Sequence, residues 1–183
     1  MMLKFFSIII FLIITLNANA NNNDKIIENL KNTNSIDFNF EQNSNGKKEK
    51  GNCTIEYPKK IFCQYLKSNN KILVSDGKSL VIKTKTSYYR YPLNKTPLNL
   101  ILDKNYLISK IYNLTGRIID NNLITYKILD NDKELSIFFN KKTYDLVGWQ
   151  NIDLYQNFNI TFISVIKKNR VPPKDLFKIP IQD

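Results

Sequence analysis

Hydrophobic and polar positions change their period several times along this chain. From Phe5 to Leu16 the run is dominated by apolar residues, without alternation. Ile26, Ile27 and Leu30 then recur at helical spacing. That spacing predicts a short amphipathic helix between Asn21 and Asn34, with Asp24 as its N-cap. From Ile36 the period falls to two. Ile36, Phe38 and Phe40 alternate with Asp37, Asn39 and Glu41, which predicts a strand with one apolar face.

The two-residue period then dominates. Thr54 to Tyr57 and Ile61 to Tyr65 flank Pro58-Lys59-Lys60, and Lys71 to Ser75 and Ser79 to Thr84 flank Asp76-Gly77. Both patterns predict hairpins. Tyr88 to Tyr91 is a further strand. A helical stripe returns after Pro97, with Thr96 as N-cap and Leu98, Ile101 and Leu102 on one face, extending through Tyr106 to Ile111. Strands follow at Gly116 to Asp120, Leu123 to Leu129, Leu135 to Asn140, Leu146 to Leu154 and Asn157 to Lys168, separated by Asn- and Asp-rich turns. The Pro-containing tail from Arg170 reads as an extended cover. The sum is roughly ten strands and two or three short helices. The simplest arrangement is one large antiparallel sheet, curled around either its own side chains or an apolar ligand.

The N-terminal run changes the picture of where the protein works. Lys4, the apolar stretch to Leu16 and the small residues of Asn17-Ala18-Asn19-Ala20 stand in the order of a secretory signal peptide. The reading is a cleaved signal over 1–20 and a single exported domain over 21–183. Composition adds exclusions. The 183 residues contain no His and two Cys. Ser-His-Asp and Cys-His triads, His-ligated zinc and an all-cysteine zinc site are thereby removed. The net charge is +11, from 27 Lys and Arg against 16 Asp and Glu. The abundance of Lys, Asn and Ile suggests nucleotide bias more than a selected basic surface, so no nucleic-acid partner is read from it.

Candidate chemistry is sparse. Carboxylates are scattered along polar strand faces. Asp130-Asn131-Asp132 begins like a calcium loop but lacks the later Gly and Glu, so no metal and no cofactor is expected, and no catalysis. The Lys-Lys pairs at 47–48, 59–60, 141–142 and 167–168 read as solvated turns and strand ends. The two cysteines say more. Cys53 and Cys63 are equally spaced from Pro58 and alternate onto the same face as Ile55, Tyr57, Ile61 and Tyr65. Facing positions in a hairpin lie within reach of a bond, which predicts a cross-strand disulfide. The alternative is two free, buried small hydrophobes.

One ordered set of segments is familiar. Phe40-Glu41-Gln42 closes the first strand. Tyr57-Pro58-Lys59-Lys60-Ile61-Phe62, Leu73-Val74-Ser75-Asp76-Gly77-Lys78-Ser79-Leu80, Thr96-Pro97-Leu98 and Pro173-Lys174-Asp175-Leu176-Phe177 follow in turn. In this order, behind a signal peptide, they resemble the LolA family of periplasmic lipoprotein carriers. The resemblance is strongest from Phe38 to Leu102 and weak from about Asn105 to Asn169.

The resemblance implies an unclosed, half-barrel antiparallel sheet of about ten or eleven strands, mainly β with short helices. Helices form its lid over an apolar cavity. It implies acylated lipoprotein as cargo, an inner-membrane ABC-type release complex as donor, and an outer-membrane receptor or the outer membrane itself as acceptor, the carrier being a monomer in the periplasm. The cavity-facing residues would be Phe38, Phe40, Ile55, Tyr57, Ile61, Leu73 and Leu80 on the sheet, with Leu98, Ile101 and Leu102 on the lid. Each of these could equally be ordinary core, because a cavity wall and a core follow the same alternation. One position departs from the family: where its members carry an Arg that bonds to the lid, this chain has Tyr57, which implies different or weaker polar closure. The rival functions are a periplasmic binder of another lipid or glycolipid on the same curled sheet, and a non-enzymatic envelope-sensing interaction module.

Overall fold

A computed structural model describes residues 21–67, 69–130, 133–152 and 156–182. The segment over 1–20 expected to be a signal, Asn131 and Asp132 of the expected turn, and Leu154 at the end of an expected strand lie outside the described residues. Helix α1 (Asn22–Lys31) comes first among the described elements and buries Ile26, Ile27 and Leu30. Asp24 is not its N-cap. Asn21 holds that place, and Asp24 lies in the first turn, where its charge still favours the positive end of the helix dipole.

Most of the remaining described residues form one antiparallel sheet of eleven strands. The first six are β1 (Ser35–Ser44), β2 (Lys47–Glu56), β3 (Lys60–Tyr65), β4 (Ile72–Asp76), β5 (Ser79–Lys83) and β6 (Tyr88–Pro92). The other five are β7 (Arg117–Ile119), β8 (Leu123–Asp130), β9 (Lys133–Asn140), β10 (Leu146–Ile152) and β11 (Phe158–Lys168). The spatial order is β6-β5-β4-β3-β2-β1-β11-β10-β9-β8-β7. Two meanders therefore meet where β1 pairs β11. Strands β6 and β7 are the two edges and do not pair, so the barrel is unclosed.

This topology fixes where the middle helices go. The chain leaves one edge at β6 and must re-enter at the other edge, β7. It crosses through a 3-10 turn at Leu93–Lys95, α2 (Leu98–Leu102) and α3 (Lys104–Asn113). The single helix expected from Pro97 to Ile111 is thus two. Asp103 divides them, because its carboxylate accepts a hydrogen bond from Tyr106 N at 3.1 Å and starts a new helix. Thr96 does not cap α2 with its side chain; its hydroxyl donates back to Leu93 O at 2.8 Å.

The two halves of the sheet are filled differently. Under the second half, Ile124, Tyr126, Ile128, Leu135, Ile137 and Phe139 are fully buried in the core that also holds α1 and α3. Asn23 of α1 ties this side together. Its amide donates to Ile111 O at 2.8 Å and Leu114 O at 2.7 Å, satisfying carbonyls at the end of α3. Its own oxygen accepts from Tyr126 Oη at 2.7 Å. Burial pushes the Tyr126 phenol up to about 12, which keeps it a donor. Under the first half, the same inward face is only partly filled.

Candidate functional site

The space under the first half is a trough of about 400 Å³, within the usual range for a small-molecule site. Its apolar wall comes from the alternation already visible in sequence. Phe38 and Phe40 of β1, Ile61 of β3, Leu73 of β4 and Leu80 of β5 point into it. Leu98 and Ile101 of α2 close one end. Of the ten residues expected to face a cavity, these seven line it. Ile55, Tyr57 and Leu102 do not; they are buried in the adjoining core.

Cys53 and Cys63 also line the trough and are directly paired across β2 and β3. Their sulfurs are bonded and their Cα atoms are 4.1 Å apart. The bond joins two wall strands beside the apolar contents. Next to it, Gly51 faces Phe40 in register. Phe40 uses the missing side chain to cross toward Tyr65, meeting it edge-on at 4.9 Å between centroids. A Cβ at Gly51 would overlap the backbone carbonyl of Gln64 and lie 2.6 Å from Phe40 Cε1.

Closure at the α2 end rests on Lys59, not on Tyr57. The Lys59 N–H donates to Leu102 O at 2.9 Å, and Lys59 Nζ pairs with Asp103 at 3.1 Å. Lys104, the first residue of α3, reaches over the Tyr57 ring at 5.7 Å from its centroid and donates to Thr33 O at 2.8 Å. The Tyr57 hydroxyl is buried and makes no hydrogen bond. Burial alone raises its pKa, so it stays a neutral phenol. Lys59, which reads as part of a solvated turn in sequence, therefore holds the cover, while Lys60 pairs with Glu56 at 2.7 Å.

The opposite end of the trough was not expected. The inward alternation of β1, β2 and β11 continues there, but the residues turn polar at one level. Gln42 faces Glu49 on one side and Thr161 on the other, and Ser44 faces Asn159. Glu49 pairs with Lys71 at 2.8 Å, and its side chain is 8% exposed. Lys71 also sits over the Tyr65 ring at 4.0 Å. Burial and then the charge of Glu49 raise the pKa of Tyr65. Gln42 donates to Asn159 at 3.3 Å. Trp149 of β10 completes the wall on the far side, edge-on to Phe38 at 6.4 Å. In sequence Gln42 enters only as the end of the Phe40-Glu41-Gln42 segment, and Glu49, Lys71, Thr161, Asn159 and Trp149 are not among the expected site residues. Hairpin symmetry was the available signal, since β1 and β2 must match in length.

Among the described residues no group of three or more His, Cys, Asp or Glu could hold a metal ion. No described helix is long and apolar enough to cross a membrane. An open barrel with one greasy, helix-covered trough defines a binding protein for an apolar or amphipathic ligand.

This chain belongs to the LolA family: the profile described as outer membrane lipoprotein carrier protein LolA matches residues 31–180. Members are periplasmic binding and carrier proteins. No curated protein sequence matches the chain. Among solved structures, it is similar to the LolA superfamily protein NE2245 from Nitrosomonas europaea, at 9% identity and a TM-score of 0.48. That match covers 86% of this chain and 96% of the other. A second similarity is to the MucA/MucB complex of Pseudomonas aeruginosa, at 11% identity and a TM-score of 0.49, covering 88% of this chain and 62% of that one. MucB alone is matched at 8% identity, a TM-score of 0.46, and 86% and 61% coverage.

Proposed function

We propose that this protein carries acylated lipoproteins across the periplasm, from the inner to the outer membrane. Residues 1–20 would direct its export. The donor would be an ABC-type release complex, and the acceptor an outer-membrane receptor or the membrane itself. The observation that supports this reading best is the covered apolar trough in a chain of the LolA family.

The energetics suit it. Each acyl CH2 kept from water is worth about 0.8 kcal/mol, so a chain of about 16 carbons resists crossing water by about 12 kcal/mol. Phe38, Phe40, Ile61, Leu73 and Leu80, with Leu98 and Ile101, would supply the compensating surface. Ile55, Tyr57 and Leu102 would support it from behind. Release is the harder half of the task. A carrier that only binds tightly never unloads, so part of the binding energy must be held in an opposing equilibrium. Movement of α2 against its Lys59 contacts is suited to that role. The trough, at about 400 Å³, is small for several acyl chains, so loading a triacylated anchor would widen it by displacing α2.

Native mass spectrometry of protein purified from its own periplasm tests the reading. The expected result is a complex with an acylated polypeptide, and delipidated protein should bind a triacylated lipopeptide one to one. Binding of another lipid with no lipopeptide binding overturns it in favour of a different lipid carrier. Protein capture that survives full delipidation, without any acylated cargo, overturns it in favour of an interaction module.

A further inference from the structure

The trough is polarised along its strands, and its two ends ask for different chemistry. At the α2 end the inward residues of β1 and β2 are Phe38, Phe40 and the disulfide. At the next two levels along the same strands they are Gln42 with Glu49, and then Ser44. The change falls at the same height on β11, from Ile163 to Thr161 and Asn159, which are buried. Lys71 enters the same level from the start of β4. The result is a row of amides and hydroxyls, with Glu49 paired to Lys71 at 2.8 Å and to Lys47 at 3.6 Å, spanning several strands at the end remote from the cover.

A wall that served only to hold hydrocarbon would stay apolar to its end. Keeping Asn159 and Thr161 at 6% and 5% exposure costs desolvation. Asn159 also donates to Asn157 O at 3.1 Å, whereas the Gln42–Asn159 contact of 3.3 Å and the Tyr65–Gln42 contact of 3.5 Å are long, so Gln42 at the centre of the row is held only weakly. Such groups gain from a ligand that brings carbonyl acceptors and N–H donors of its own.

We propose that this row is the subsite for the polar head of the cargo, and that it sets the cargo's orientation. The proposal rests on the carrier reading given above. The acyl chains point toward Leu98 and Ile101 under α2. The ester- and amide-bearing head lies among Gln42, Thr161 and Asn159, and the Glu49–Lys71 pair sits beside it. The polypeptide then leaves past Ser44 and the β1–β2 turn, away from the cover. A head held there lets α2 move over acyl chains alone.

The test uses the delipidated full domain, a tripalmitoylated cysteinyl lipopeptide with a biotin on its peptide, and N-phenyl-naphthylamine as a headless apolar probe. Gln42→Leu combined with Thr161→Val should lower lipopeptide affinity about tenfold while leaving probe affinity within about twofold. Retained probe binding also shows that the variant is folded. In a second arm the sequence is otherwise unchanged and a benzophenone amino acid replaces Ser44 or Leu98. Crosslinking from Ser44 to the peptide, and from Leu98 to an acyl chain, is the expected pattern. Equal loss of both ligands in the double variant, or the reversed crosslinks, overturns the head subsite while leaving the carrier reading standing. Probe binding by the unaltered protein with no lipopeptide binding overturns both.

Discussion

Tyr57 shows how one residue can keep its place while its chemistry changes. Its ring is buried beside the cover, but its hydroxyl has no partner. A buried hydroxyl without a hydrogen bond costs about 1–3 kcal/mol. Tyr57→Phe should therefore leave stability unchanged or raise it by up to about 1 kcal/mol, read from the urea midpoint. A clear loss would mean the hydroxyl is satisfied in solution. Gly51 is the opposite case, because the neighbour that a methyl would strike is the fixed carbonyl of Gln64. Gly51→Ala should destabilise by about 1–3 kcal/mol and weaken apolar probe binding, since Phe40 would be pushed from the wall. The Cys53–Cys63 bond closes a sequence separation of 10. Replacing both by Ala should cost about 2–3 kcal/mol in urea unfolding under oxidising conditions.

At the scale of elements, strand existence was legible and strand length was not. The alternation of Ile36, Phe38 and Phe40 marked β1 because apolar residues faced one way. It stopped being visible at Gln42, although the strand runs to Ser44. The same happened in β2, which begins at Lys47 and not at Thr54. A strand whose inward face turns polar loses its hydrophobic signature but not its ladder. The segments overlooked are therefore the ones that build the polar end of the trough. The cover shows a related limit. Leu98, Ile101 and Ile111 keep a helical period, yet Asp103 caps a second helix and breaks the run. The ion pair and backbone bond at Lys59 hold α2 at that break. Lys59→Met removes the charge while leaving the backbone bond. It should raise amide exchange in α2 about threefold, with little change in the global unfolding midpoint, because a partly exposed pair is worth only a few tenths of a kcal/mol to about 1 kcal/mol.

The whole molecule is held in its curled form by the junction of two meanders and by the tail that follows β11. Arg170 forks onto Asp37 of β1 at 2.6 and 3.0 Å, and the Ser35 hydroxyl donates to Arg170 O at 2.5 Å. The bond from Arg170, outweighing partial burial, holds the Asp37 carboxyl below the usual carboxylate range, and Thr54 adds to it. A lowered folded pKa means stability that is complete above the unfolded value, near 3.9, and is lost as pH falls through the folded one. The urea midpoint should fall as the pH drops below about 4, and Asp37→Asn should flatten that fall. A slope unchanged by the substitution would assign the acid sensitivity elsewhere. Phe177, 6% exposed and outside the main core cluster, anchors the same tail beneath Lys60.

By itself the sequence determined the antiparallel class, the facing cysteines and most of the greasy wall. Those features follow from period-two alternation, which needs only neighbours a few residues away. Tertiary structure decided which side of the inward face would be filled. Helices α1 and α3 pack under the second half, and the first half keeps its trough. It also decided that Lys59 would hold the cover and that Gln42, Glu49, Lys71 and Thr161 would share one level. These residues meet only through strand register and the crossover from β6 to β7, and polar positions carry no periodic signal that announces such a meeting.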